Sequence, residues 1–296
     1  MKSAAALLLA GVISSVCAAE DSPNLSLVKG ASKPDNTKPA VISYTNDGYD
    51  GGSRLIQAAI ISKEITLDGL GKPGVSTFGY SFGAGISKDS AAKSASDTRV
   101  VNANLGNHWD LTADHHTRLH STLTFALEDD RQNGDRGHSE RLDAQLDTNY
   151  LKFLQRNGPA GELLKIFPFA GLYRRHITST SDETKAPTGN YGGPYVGVHF
   201  VGAVGEVTND AKWFERIGLD ASLTRIRDSS ASGGYVKQSY NFATGTVSYA
   251  LHDYTADRKS VWKPSLGITR NVGTDRLNNL PQKGETVLGL QISYGI

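Results

Sequence analysis

The 296-residue chain carries 31 basic and 30 acidic residues, a net charge of +1, so it lacks the basic excess with which proteins hold a phosphate backbone, and nucleic acid is not an expected partner. Its 32 glycines suit strands and turns, and its single cysteine, Cys17, lies near the N-terminus. Once that N-terminal stretch is removed, no thiol remains for a disulfide, a thiolate metal site or a thiol nucleophile.

Residues 1–19, MKSAAALLLAGVISSVCAA, have a positive Lys2, a short apolar core from Ala4 to Val12 and small residues at Ala18 and Ala19, the pattern of a secretory signal peptide. Val16 stands where a lipobox needs a small residue, which disfavours lipidation at Cys17. Residues 20–40 are polar and aperiodic and are expected to form a flexible periplasmic leader. No later stretch has 18 consecutive apolar residues, so a transmembrane helix is excluded and a β-barrel is not.

From residue 41 to 296 the dominant period is two. In 76–88, Phe78, Tyr80, Phe82, Ala84 and Ile86 share one face against Thr77, Gly79, Ser81, Gly83 and Gly85. Val101, Ala103, Leu105 and Trp109 oppose Asn102, Asn104, Gly106 and His108; Leu119, Leu123, Phe125 and Leu127 oppose Arg118, His120, Thr122, Thr124 and Glu128. The same holds for Leu142, Ala144, Leu146 and Tyr150 against Asp143, Gln145, Asp147 and Asn149, and for Ile217, Leu219, Ala221 and Leu223 against Arg216, Gly218, Asp220 and Ser222. Twelve strands are expected, near 41–47, 53–65, 76–88, 98–110, 117–129, 140–153, 165–179, 194–207, 213–227, 236–250, 260–272 and 285–296. Mixed parity near 53–65, 165–179 and 236–250 suggests bulges, and Pro168 and Pro264 are awkward inside paired strands, so ten or fourteen strands also fit.

Such alternation is produced by a soluble sandwich with its apolar face inward, or by a membrane barrel with that face outward. Three features favour the barrel. The segments are about 10–14 residues long, beyond the usual 5–6 of soluble strands and enough for a tilted crossing. The spacers alternate between short (TADHHT, TNDAKW, YTADRK) and long polar ones (EDDRQNGDRGHSE, STSDETKAPTGNY, RDSSASGGY, VGTDRLNNLPQKGET), as periplasmic turns and external loops do. Trp109, Trp213 and Trp262 sit on apolar parity beside short spacers, with Phe78, Tyr150 and Tyr294 completing an expected aromatic girdle. The fold class expected is therefore all-β, a closed antiparallel up-and-down transmembrane β-barrel of about twelve strands.

The chain ends ETVLGLQISYGI, in which Leu288, Leu290, Ile292, Tyr294 and Ile296 form one stripe. This ending resembles the last strand of the porin-like bacterial outer-membrane β-barrel class, which has alternating apolar residues and an aromatic third from the end; Ile296 departs from the usual terminal Phe. The resemblance covers the last ten residues and the general pattern from about 41 onward, and it points to no particular family. It implies export to the outer membrane, contact with outer-membrane lipid and recognition of the last strand by the barrel-assembly machinery.

On that parity the lumen is lined by Arg118, His120, Glu128, Asp143, Asp147, His199, Arg216, Asp220 and Lys263, among hydroxyls, amides and glycines. A wall of both charge signs suits small hydrophilic solutes, and about twelve strands lie between filled and open barrels, so a narrow channel is expected. A lumen plugged by its own ion pairs fits equally well, which leaves a closed structural, adhesive or assembly-related barrel as the alternative. Enzyme signals are weak. Adjacent His120 and Ser121 point to opposite faces, no G-x-S-x-G occurs, and Asp143 and Asp147 lie about 13 Å apart along a strand. His115 and His116 are turn residues without further metal ligands, and GLGKPG at 69–74 is a turn; no catalytic, cofactor or metal site is expected, and a lipid hydrolase ranks last. An autotransporter is disfavoured by the short leader and by the lack of a pattern for a lumenal helix.

Overall fold

The computed structural model describes residues 25–28, 40–47, 51–62, 65–67, 76–90, 96–112, 117–131, 134–148, 152–155, 162–180, 187–202, 213–251, 261–277 and 285–295. The expected signal peptide, Tyr150, His115, His116 and Ile296 lie outside them. The described residues form an all-β antiparallel sheet. In chain order its segments are β1 (Leu25–Val28), β2 (Ala40–Asp47), β3 (Gly51–Ser62), β4 (Ile65–Leu67), β5 (Ser76–Asp89), β6 (Ser96–Asp110), β7 (Thr117–Asp130) and β8 (Asp135–Thr148). They continue with β9 (Lys152–Gln155), β10 (Glu162–Ser179), β11 (Gly189–Gly202), β12 (Ile217–Arg227), β13 (Ser230–Ala231), β14 (Ser239–Ala250), β15 (Val261–Gly273) and β16 (Glu285–Gly295).

The four short segments continue longer ones. β1 pairs with residues 59–62 of β3, just beyond the 51–57 stretch that β2 occupies, so β1 and β2 share one track along β3. β4 extends β3 along β5, β9 extends β8 along β10, and β13 extends β12 along β11. Twelve tracks result, as the sequence predicts. Each pairs antiparallel with the next in the chain, and β16 pairs with β2 through Ile292↔Ala40 to Thr286↔Asn46. β3 pairs in turn with β5, through Leu55↔Asp89 to Ile61↔Gly83. β1 corrects the expectation of an unstructured leader: Leu25 and Leu27 make an alternation too short to register in sequence.

Three prolines are accommodated where one neighbour's ladder has just ended. Pro168 pairs with Val198 of β11, while β8 stops at Phe169↔Gln145. Pro194 lies one residue past the β12 ladder, which ends at Tyr195↔Ile226. Pro264 lies one past Ala250↔Ser265, the last β14 pair. A residue without an N–H costs little where a ladder bond is already absent.

The two faces are the reverse of a water-soluble sheet. On β7, Thr122, Thr124 and Ala126 are buried, while Phe125 and Leu127 are 50% and 58% exposed. Asn102, Ser222 and Gln291 are buried on the same face as Thr124, and Leu105, Leu142, Leu223 and Leu288 are exposed on the other. The polar face is knitted by hydrogen bonds between neighbouring strands: Thr124 Oγ1 donates to Asn104 Oδ1 at 2.8 Å, and Asn104 Nδ2 donates to Ser81 Oγ at 3.2 Å. Each Leu or Ile left in water would forgo about 1.5–3 kcal/mol of burial.

The connections correct the expected short–long alternation. At one end, the first rim, strands are joined by 48–50, 90–95, 131–134, 180–188, 228–238 and 274–284. At the second rim the joins span 63–75, 111–116, 149–161, 203–216 and 251–260. The 128–140 stretch, read as a long loop, is mostly hairpin: β7 runs to Asp130 and β8 starts at Asp135. Its residues are polar on both parities, so period two is invisible there although the ladder continues. β8 and β11 accordingly begin about five residues earlier than the sequence pattern places them.

Ile268 pairs with both Val247 and Leu288. Ile268→Pro is expected to cost about 3 kcal/mol or more, whereas Pro264→Ala changes stability by under about 1 kcal/mol; urea unfolding followed by circular dichroism in detergent measures both.

Candidate functional site

Polar-face side chains of β7, β8, β10, β11 and β12 converge near the first rim. β10 places Phe169, Tyr173, Arg175 and Ile177 on that face, β11 places Tyr191 and Tyr195, and β12 places Ile226 and leads to Asp228. Tyr173, Ile177, Tyr191, Tyr195 and Ile226 form one buried cluster, with Tyr191 and Ile226 fully enclosed. Tyr235 from the 228–238 connection, Tyr240 and Leu277 pack against it. Two glycines make room: a Cβ on Gly171 would overlap the Tyr195 ring, and one on Gly197 would overlap Phe169.

Ion pairs frame the aromatic cluster. Tyr195 OH donates to Asp143, whose other oxygen accepts from Arg141 Nε at 2.9 Å. Arg175 donates to Glu128, which also accepts from Ser139 Oγ at 3.0 Å. Tyr173 OH donates to the fully buried Asp228, and Arg276 Nη2 stands 3.8 Å from the same carboxylate. The Arg276 guanidinium lies 3.5 Å above the Tyr191 ring and 5.2 and 5.3 Å from those of Tyr235 and Tyr240, a cation–π contact made in a desolvated setting. Burial pushes the Tyr235 hydroxyl above its ordinary range, so it stays neutral and a hydrogen-bond donor at physiological pH.

The expected lining residues divide into two groups. Glu128 and Asp143 belong to this cluster. Nearer the second rim, Arg118 Nε donates to Asp110 Oδ1 at 2.8 Å and sits opposite Asp147 in register. The His120 ring is 4.5 Å from His108, and His199 Nε2 is 2.7 Å from Asp220 Oδ2. Arg216 corrects an expectation: it ends a 3-10 turn, Trp213–Arg216, and β12 starts only at Ile217. Trp213 is in the same turn, exposed beside the second rim rather than within a strand. Trp109, near the end of β6, is exposed on the apolar face as expected. Lys263 and Trp262 belong to β15, Phe78 to β5 and Tyr294 to β16, with Trp262 opposite Tyr294; the side chains of these four lie outside the described residues.

Tyr173, Tyr191, Tyr195, Arg141, Arg175, Asp228 and Arg276 were not expected from the sequence. One signal was present: Phe169, Tyr173 and Ile177 occupy the polar parity of β10 while Ala170 and Leu172 occupy the other, so both faces are apolar there. Loss of alternation through apolar residues on both parities marks a strand whose inner face is covered. Among the described residues no three metal-ligating side chains converge, and no helix is long and apolar enough to cross a membrane.

No protein-family profile matches the chain, and no curated protein matches it. Among solved structures, it is similar to the translocator domain of the autotransporter NalP from Neisseria meningitidis, with 12% identity and a TM-score of 0.40 over 100% of this chain and 97% of that one. That likeness is too loose to carry fold or function across.

Arg276→Gln is expected to cost about 3–5 kcal/mol, since it leaves the Asp228 charge buried beside only a tyrosine hydroxyl. Adding Asp228→Asn in the same chain restores more than half of that loss, as judged by denaturant midpoints in micelles.

Proposed function

We propose that the protein is an outer-membrane β-barrel whose twelve tracks close around a narrow, water-filled passage for small hydrophilic solutes. The observation that carries this is the inverted burial: leucines of the long strands are exposed while threonines, asparagines and arginines are enclosed. In water that arrangement would forfeit the dominant stabilising term of folding; against hydrocarbon it becomes the favoured one. The ring of pairing supports closure, because a spanning sheet cannot leave an open edge in lipid.

The passage is uneven. Toward the second rim its wall is open polar surface of hydroxyls, amides and the His199–Asp220 and Arg118–Asp110 pairs. Toward the first rim it narrows at the tyrosine and arginine cluster. Buried Arg175 Nε and Nη1 have no acceptor among the described residues, which supports a hydrated interior. The cluster then acts as the constriction, with Arg276 and Tyr235 supplied by the connecting segments. On this reading no reaction is assigned to the protein, its contacts are membrane lipid and passing solutes, and β16 presents the ending through which the assembly machinery would take it up. A barrel fully plugged at the cluster, with a structural or adhesive role, is the alternative.

Purified protein in planar bilayers is expected to give discrete conductance steps, and Arg276→Ala with Tyr191→Ala raises the unitary conductance by roughly twofold or more. Silence of both chains after verified insertion favours the plugged barrel. Asp220→Asn shifts the reversal potential toward anion preference if the lining charge sets selectivity. Leu223→Arg, in the middle of the apolar face, lowers stability in vesicles by about 2–4 kcal/mol. Folded protein that stays dissolved without detergent removes the membrane reading altogether.

A further inference from the structure

Among the described residues, the apolar face carries charge only toward the first rim. Near the first rim, Arg54, Lys88, Arg174, Arg225 and Arg227 are exposed in phase with Ile56, Ile86, Leu172 and Leu223, directly continuing the apolar band. None of these five has an ion-pair partner among the described residues, although Arg174 stands opposite Glu140 in register. The acidic side chains in the same phase are few: Glu140 on β8, Asp97 near Arg99 at 3.9 Å, and Asp129, which takes Arg136 at 3.2 Å and Arg131 at 3.9 Å. Arg270 is exposed in the same phase between Ile268 and Val272, where its Nη1 donates to Thr286 Oγ1 at 2.8 Å; over the rest of that face, down to the second rim, the described strand side chains include no Lys, Arg, Asp or Glu.

A belt of unpaired cations bordering hydrocarbon needs an anion at the depth of the lipid headgroups. Guanidinium groups present several N–H donors in a plane that matches phosphate oxygens, and their stems can lie along acyl chains while the heads reach the surface. The first rim is therefore built for phosphate, and the second, with Trp109 and Trp213, is built for an uncharged interface. We infer that the belt centred on Arg174, Arg225 and Arg227 binds phosphate-bearing headgroups of the membrane leaflet that surrounds the first rim. This rests on the membrane reading above.

The test uses the full chain. Insertion into phosphatidylcholine vesicles is established first by resistance to carbonate extraction. Protein in micelles is then titrated with short-chain phosphatidic acid, with phosphatidylcholine of the same chains and with inorganic phosphate, and bound lipid is counted by native mass spectrometry. The expected result is that phosphatidic acid binds about tenfold tighter or more than phosphatidylcholine, and that Arg174→Gln/Arg225→Gln/Arg227→Gln together lose that preference. Arg54→Gln/Lys88→Gln, elsewhere on the rim, gives a partial loss and guards against a folding defect in the triple variant. Lys165→Gln, on the polar face, keeps the preference. Equal binding of the two lipids, an undiminished preference in the triple variant, displacement by free phosphate at matched concentration, or cross-links showing the belt covered by a second copy each overturn the inference. Failure to insert into phosphatidylcholine vesicles instead sinks the membrane reading, so the two failures are distinguishable.

Discussion

Each long described strand is paired along both of its edges, and that backbone pairing is the constraint from which the rest follows. A peptide group without a partner is costly wherever water is excluded, and a neighbour on each edge supplies partners along most of a strand. Once pairing is satisfied internally, the two faces are free to specialise. Side chains alternate strictly, so the choice made at one strand propagates by register to the next: Leu223 opposite Val198, Leu288 opposite Ile268, Leu105 opposite Leu123. The same constraint explains where the exceptions lie. Pro168, Pro194 and Pro264 fall just past the end of a neighbouring ladder.

The cluster near the first rim is organised by a different physics. Its tyrosines bring large buried area with a hydroxyl that still needs a partner, and two of them find carboxylates: Tyr173 takes Asp228 and Tyr195 takes Asp143. Those carboxylates need cations, which Arg276 and Arg141 supply. Each member thus answers the demand of another, and removing any single charge leaves its partner stranded at low dielectric. Arg276 matters most because it also lies on the Tyr191 face and comes from the segment after β15, so it ties a connecting segment to the wall.

Most of the fold was legible from residues alone, because a strand with two different faces writes its two environments in alternating letters. Ten of the twelve strands begin within four residues of where the pattern puts them. The β8 and β11 starts were hidden for one reason: Asp135 to Glu140 and Gly189 to Gly193 alternate between nothing that differs in hydropathy. The lining was legible as a face but not as partners, since which cation meets Glu128 depends on the stagger of β7, β8 and β10. Arg276 and Tyr235 were invisible because they come from segments that read as loops, and what draws them inward is the aromatic surface rather than any local motif.

The two rims together also bear on orientation, which connection length does not settle. Lengths fail because strands here extend beyond the apolar band by differing amounts, so a connection's size reflects where pairing stops rather than which side it faces. Side-chain chemistry at the band's edges is a better guide, since it answers directly to what lies beside it. One edge carries indole rings and adjoins both described chain ends, with Gly295 opposite Val261 and Leu25 opposite Ser62. The other carries guanidinium groups in excess over carboxylates. A chain exported through the inner membrane folds with its ends on the side from which it arrived, so the proposed barrel would turn its aromatic edge and termini inward and its cationic edge toward the outer leaflet. The tyrosine and arginine cluster shares the cationic edge, so in the proposed barrel the constriction would sit on the outer side.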